Sequence, residues 1–130
     1  MTDQQDPSPT SPIRVLVVED EPLVLMDMEF YLSDAGFEVL TARSCDQGND
    51  VLSARVPDVA VLDVNLGRGE TCEPLARRLA DVGVPFLLHT GDLERRGEMV
   101  VGLNAPIIAK PSLPDDVIAA IRSLVASTRG

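Results

Sequence analysis

The sequence has no tryptophan, one tyrosine and three phenylalanines, so aromatics make up only 3% of it and any core must be aliphatic. Basic residues are also scarce: 11 Lys and Arg stand against 21 Asp and Glu, for a net charge of −10. Nucleic acid and anionic membrane surfaces both require clustered positive charge, so neither is an expected partner. Cys45 and Cys72 lie too far apart for a CxxC pair and are too few for a zinc framework; inert thiols in a reducing, cytoplasmic compartment are expected. No apolar run approaches the ~20 residues of a membrane span, and the N-terminus lacks a basic-then-apolar signal pattern.

What remains is an ordinary globular balance, 45% hydrophobic and 25% charged, in 130 residues. That length fits one domain, which can bury roughly two thirds of its unfolded surface without a disulfide or metal staple. Residues 1–12 (MTDQQDPSPTSP) hold three prolines and no large apolar residue apart from Met1, and are expected to be a disordered leader. Residues 13–130 form the single domain.

Ile13–Val18 (IRVLVV) reads as a buried strand. Pro22 opens a helix to Ala35, with Asp20 and Glu21 as cap and dipole partners and Gly36 as the stop. Phe37–Ala42 alternates like a strand, and Cys45–Arg55 is a helix closed by Pro57. Asp58–Leu62 is a second apolar strand ending at Asp63, followed by a Gly-rich loop over 64–70. Thr71–Val82 is a helix ended by Gly83. Val84–His89 and Pro106–Ala109 are further strands, with a short helix expected within 93–103. Pro114–Ser127 is the last helix, with Ser112 as its cap. This alternation predicts an α/β fold: a doubly wound, five-stranded parallel sheet with helices on both faces, flavodoxin-like.

In such a sheet ligands bind beyond the carboxyl ends of the strands, where strand order reverses. The residues there are Glu19 and Asp20, then Asp63, Thr90 and Lys110. One or two polar residues at strand ends are unremarked chain punctuation; five of these types are not. Three converging carboxylates repel one another more than one lysine can offset, and a hard divalent cation, Mg²⁺, suits such an oxygen site. This points to phosphoryl chemistry. Asp63 would attack phosphorus to form an acyl phosphate, while the metal, Lys110 and the Thr90 hydroxyl neutralise the three equatorial oxygens.

The same residues carry a resemblance. VVEDEP around Glu19 and Asp20, VLDVNLG around Asp63, HTG around Thr90 and AKP around Lys110 follow the order of the two-component response-regulator receiver family. The resemblance spans 13 to about 127. It implies a stand-alone, CheY-like receiver phosphorylated on Asp63, with Glu19 and Asp20 as metal acids and the Asn65 backbone carbonyl as a further Mg²⁺ ligand. Glu19 replaces the commoner Asp, and its extra methylene suggests contact with the metal through water. VEDEP, DVNLG and PFxxxTG together also resemble receivers that accompany histidine kinases of alphaproteobacterial type.

There are departures. The family's usual aromatic three residues before the lysine is Ile107 here, the aromatic that often follows Lys-Pro is Ser112, and Asp92 and Leu93 stand where some relatives place one. The usual Thr–aromatic coupling is therefore not expected. Asn65 and Asp92 should flank the line of attack and set the lifetime of the acyl phosphate, unless both are merely solvated loop residues. On the first helix Val24, Met28, Tyr31 and Ala35 share a core face at 100° per residue, leaving Leu23, Met26 and Phe30 at least partly exposed. That stripe is where the family docks a histidine-bearing domain; a helix buried on both sides, or isolated surface apolars, are the plainer alternatives. His89 reads as a packed or edge residue. Gly67 and Gly69 are not followed by the GK[ST] of a phosphate loop. Arg77-Arg78 and Arg95-Arg96 read as solvated helix faces.

Three function classes follow. The first is a phosphorylation switch or phosphate shuttle, fed by a histidine kinase or histidine phosphotransfer domain and acting on an unidentified downstream protein. No turnover of an external substrate is expected, and with so few residues after Pro111 no output domain is expected. A phosphorylation-independent adaptor is its variant. The second is an Asp-nucleophile phosphohydrolase, disfavoured because Asn65 stands where a second Asp would act as general acid. The third is a flavin or nucleotide binder, disfavoured by the excess negative charge and missing stacking aromatics.

Overall fold

The computed structural model describes residues 12–63, 73–90, 105–110 and 112–129. The expectations placed on the leader, the 64–70 loop with Asn65, Gly67 and Gly69, Cys72, and the 93–103 helix with Asp92, Leu93 and Arg95-Arg96 nearby lie outside these residues, as do the side chains of Thr90 and Arg129.

The elements run β1 (Arg14–Val18), α1 (Pro22–Asp34), β2 (Glu38–Ala42), α2 (Cys45–Ala54), β3 (Val59–Asp63), α3 (Glu73–Asp81), β4 (Phe86–Thr90), β5 (Ile107–Ala109) and α4 (Pro114–Arg129). All pairings are parallel, in the order β2-β1-β3-β4-β5. The doubly wound sheet predicted from the sequence is the one found. Every residue of β3 is buried, as is expected of a central strand covered on both faces.

Side-chain alternation divides the core in two. Leu16, Val18, Leu62 and Leu88 face α2 and α3, where they meet Leu52, Leu75 and Leu79. Val15, Val17, Val61 and Leu87 face α1 and α4, where they meet Leu25, Met28, Leu32, Val117 and Ile121. Aliphatic side chains dominate both sides, with one buried phenylalanine in each, Phe86 and Phe37.

Local signals explain most boundaries. Pro22 occupies the first turn of α1, and Gly36 and Gly83 take φ of 99° and 79° just past α1 and α3, a region that favours glycine. Ser44 caps α2 by accepting from the Gln47 amide at 3.1 Å.

Four expectations need correction. Neither Asp20 nor Glu21 caps α1: Glu21 sits at the cap position without a side-chain bond, and its own N–H donates to Glu19 Oε2 at 3.2 Å. The buried face of α1 is turned toward Leu25, Met28 and Leu32, leaving Val24, Tyr31 and Ala35 half-buried at the edge of the same core. Ser112 lies too early to cap α4, which begins at Pro114, and its hydroxyl meets His89 instead. Arg78 is no solvated face; it bonds Asn49 O at 3.0 Å and Ser53 Oγ at 2.8 Å, clamping α3 to α2. Arg77 does lie exposed, paired with Glu73. Among the described residues, no helix is long and apolar enough to cross a membrane.

Candidate functional site

β1 and β3 are neighbours, and the strand order reverses between them, so their carboxyl ends open the crevice where an α/β sheet binds ligands. Val18 pairs with Leu62, which sets Glu19, just past β1, beside Asp63, the last residue of β3. Both are buried, at 1% and 5% exposure, and Asp20 is half-buried. One carboxylate oxygen from each of the three lies within 4.8 Å of the others.

Lys110 follows β5, two strands away from β3, and its side chain crosses the end of β4 to reach this cluster. Its Nζ lies 2.7 Å from Glu19 Oε1 and 3.4 Å from Asp63 Oδ2. Burial works against the ammonium, but the hydrogen bond to Glu19 and the charges of Asp63 and Glu19 outweigh it and hold the lysine pKa above its usual value. One ammonium against three carboxylates leaves an excess of two negative charges. Buried anions in excess are unstable without a further cation, and an all-oxygen donor set suits a hard divalent one. The residues present therefore fit a metal ion.

Glu19, Asp20, Asp63 and Lys110 are thus brought together as the strand-end rule anticipates. Thr90 closes β4, in register with Ala109. Ile107, at the position of the missing aromatic, is half-buried and packs against the α2–α3 side of the core.

The pairing of Lys110 first with Glu19 was not anticipated. Nor was the partner of His89, which is 5% exposed with Nε2 at 2.9 Å from Ser112 Oγ. Burial, and after it the Lys110 charge, lowers the His89 pKa to about 4, with Glu19 opposing. Alternation along β4 already places His89 on the side of Leu87, facing α1 and α4; only the identity of its partner was hidden. His89, Lys110 and Ser112 line a cleft of about 450 Å³ against Leu23, Asp27 and Tyr31 of α1. Burial, then the neighbouring Asp27 carboxylate, pushes the Tyr31 phenol up to about 12. On the outer face of α1, Leu23, Met26 and Phe30 are 76%, 61% and 73% exposed, as the helical spacing predicts.

Comparison with known proteins agrees with this geometry. The response regulator receiver domain family matches residues 15–122. The chain is 33% identical over 112 residues to regulatory protein VirG of Rhizobium rhizogenes, covering 84% of this chain and 46% of that protein. It is 31% identical over 121 residues to the probable transcriptional regulator ycf27 of Cyanophora paradoxa, covering 88% and 49%. The chain therefore spans about half the length of these relatives. Among solved structures it is similar to a CheY-like response regulator receiver domain protein from Methanospirillum hungatei, with a TM-score of 0.82 and 22% identity over 92% of this chain and 98% of that one. It is also similar to a response regulator receiver protein from Sinorhizobium medicae, with a TM-score of 0.79 and 25% identity over 90% and 97%. An acidic nook at the reversal point of a parallel sheet, a lysine reaching into it, and a family match over most of the chain agree: the chain belongs to the response regulator receiver domain family.

Proposed function

We propose that this chain accepts a phosphoryl group on Asp63 from the phosphohistidine of a histidine kinase or histidine phosphotransfer domain, and that the changed surface then governs binding to a downstream protein. The observation that carries this reading is the convergence of Glu19, Asp20 and Asp63 within 4.8 Å, with the Lys110 ammonium reaching the same point. A carboxylate oxygen of Asp63 attacks phosphorus as the P–N bond of the donor breaks. The bonding pair returns to the imidazole nitrogen, and an acyl phosphate remains on Asp63. The transition state is loose, so the chain contributes position and charge more than covalent chemistry.

Lys110 stands ready to pair with one phosphoryl oxygen, and the Thr90 hydroxyl is assigned to another. Glu19, Asp20 and Asp63, with the backbone carbonyl of Asn65, would hold Mg²⁺, which when bound supplies positive charge to the phosphoryl oxygens. Water later hydrolyses the acyl phosphate, so the chain switches state rather than turning over an external substrate. A cytoplasmic location goes with this reading.

The exposed stripe Leu23, Met26 and Phe30 supports docking of the donor's histidine-bearing helices on α1, beside the acidic nook. A phosphorylation-independent adaptor is the second reading, favoured by Ile107 in place of a switch aromatic. Incubation with acetyl phosphate and Mg²⁺ followed by intact mass separates the two. One added phosphate on wild type and none on Asp63→Asn is the expected result. No adduct on wild type would favour the adaptor.

A further inference from the structure

His89 stands directly before Thr90 and projects to the Leu87 side of the sheet, toward α1 and α4. Its Nε2 is engaged by Ser112, while its Nδ1 has no hydrogen-bond partner among the described residues. A buried imidazole with half of its polar atoms unmatched is unfavourable where an aliphatic side chain such as Leu87 packs without penalty. The two ends of this hydrogen bond indicate what it can do.

On β4, His89 is in register with Asp63 of β3 on one side and Ile108 of β5 on the other. Ser112 lies two residues beyond Lys110 in the sequence and two before the start of α4 at Pro114. Two side-chain anchorages are seen there among the described residues: Lys110 on Glu19 and Asp63, and Ser112 on His89. A lysine has a long, flexible stem, so aiming its ammonium depends on where the backbone beneath it is held.

We propose that His89 and Ser112 are positioning residues for Lys110: their hydrogen bond holds the segment after β5 so that the ammonium lies between Glu19 and Asp63. The kinetic consequence rests on the reading of Asp63 as phosphoacceptor; the geometric consequence does not. Neither residue touches the phosphoryl group. They act through the lysine, and preorganising a charged group in this way speeds a reaction without adding a contact.

The test compares wild type with Ser112→Ala, Ser112→Thr, His89→Phe, Lys110→Ala and the double variant Lys110→Ala/Ser112→Ala. Phosphorylation by acetyl phosphate with Mg²⁺ is followed by intact mass. Ser112→Ala and His89→Phe should slow it roughly fivefold, the worth of one hydrogen bond. Ser112→Thr, which keeps the hydroxyl, should restore most of the rate. In the Lys110→Ala background, Ser112→Ala should have no further effect. Equal slowing with and without the lysine, or no slowing at all, overturns the proposal.

A second measurement needs no phosphorylation: a double-mutant cycle on thermal stability in EDTA. Ser112→Ala should lower the melting temperature of wild type, do so less in the Lys110→Ala background, and be reversed by Ser112→Thr; equal lowering in both backgrounds overturns the positioning role. If wild type takes no phosphate, the proposed function fails, and the cycle still decides this inference.

Discussion

Lys110 Nζ is 2.7 Å from Glu19 Oε1 but 3.4 Å from Asp63 Oδ2, so at rest the lysine is chiefly the counter-ion of Glu19. Glu19 has almost no solvent to replace that partner. Lys110→Ala should therefore destabilise the metal-free protein by about 2–3 kcal/mol, the lower side of what breaking a buried pair costs, because the lysine itself keeps some solvent contact. Added Mg²⁺ should recover part of this loss. Thermal unfolding with EDTA and with Mg²⁺ checks both points; a variant as stable as wild type in EDTA would contradict the pairing.

Asp20 is the least buried of the three acids, so its charge can be removed with little disturbance of packing. Asp20→Asn should leave the metal-free melting temperature equal or slightly higher, since one repulsive charge is gone. The rise in melting temperature on adding Mg²⁺ should shrink, because that rise measures binding to the folded state. An undiminished rise would place the cation elsewhere.

Phe30 is largely in solvent, so Phe30→Asp should change stability by no more than about 0.5 kcal/mol. Its effect should appear in one reaction only. Phosphotransfer from a histidine-bearing donor should slow by on the order of tenfold, while phosphorylation by acetyl phosphate keeps its wild-type rate. Equal rates from the protein donor would remove α1 from the docking surface.

His89 gives a pH dependence of defined sign. Its pKa is lowered from 6.5 to about 4 on folding, first by burial and then by Lys110. Between these values the unfolded chain binds a proton that the folded chain refuses, so stability falls as pH drops from about 6.5 to about 4 and then loses nothing more from this residue. The loss is on the order of 2–3 kcal/mol. Urea unfolding of wild type and His89→Phe in EDTA across this range isolates it from carboxylate titration. The variant should show the shallower decline; parallel curves would show that His89 contributes none of it.

Much of the fold was legible in the residues themselves. The valine- and leucine-rich runs before Glu19 and Asp63, Pro22 at the start of α1, and the glycines after α1 and α3 located strands and helices to within a few residues. The site was legible because the strand-end rule needs only the strands and the residue after each. Other features were not. The buried face of α1 differed because Val24, Met28, Tyr31 and Ala35 and the adjacent set Leu25, Met28 and Leu32 both follow the helical period, and only packing against the sheet chooses between them. Arg78 read as solvated because its partners, Asn49 and Ser53, sit on a different helix.

Taken alone, the sequence determined which segments extend and which coil, and which charged groups terminate the strands, because capping, alternation and glycine stops act over a few neighbouring residues. Only the tertiary structure decided that Lys110 leans on Glu19 before Asp63 and that His89 holds Ser112. Those choices depend on distances across the width of the sheet, where the one extra methylene of Glu19 and the reach of an imidazole select the partner.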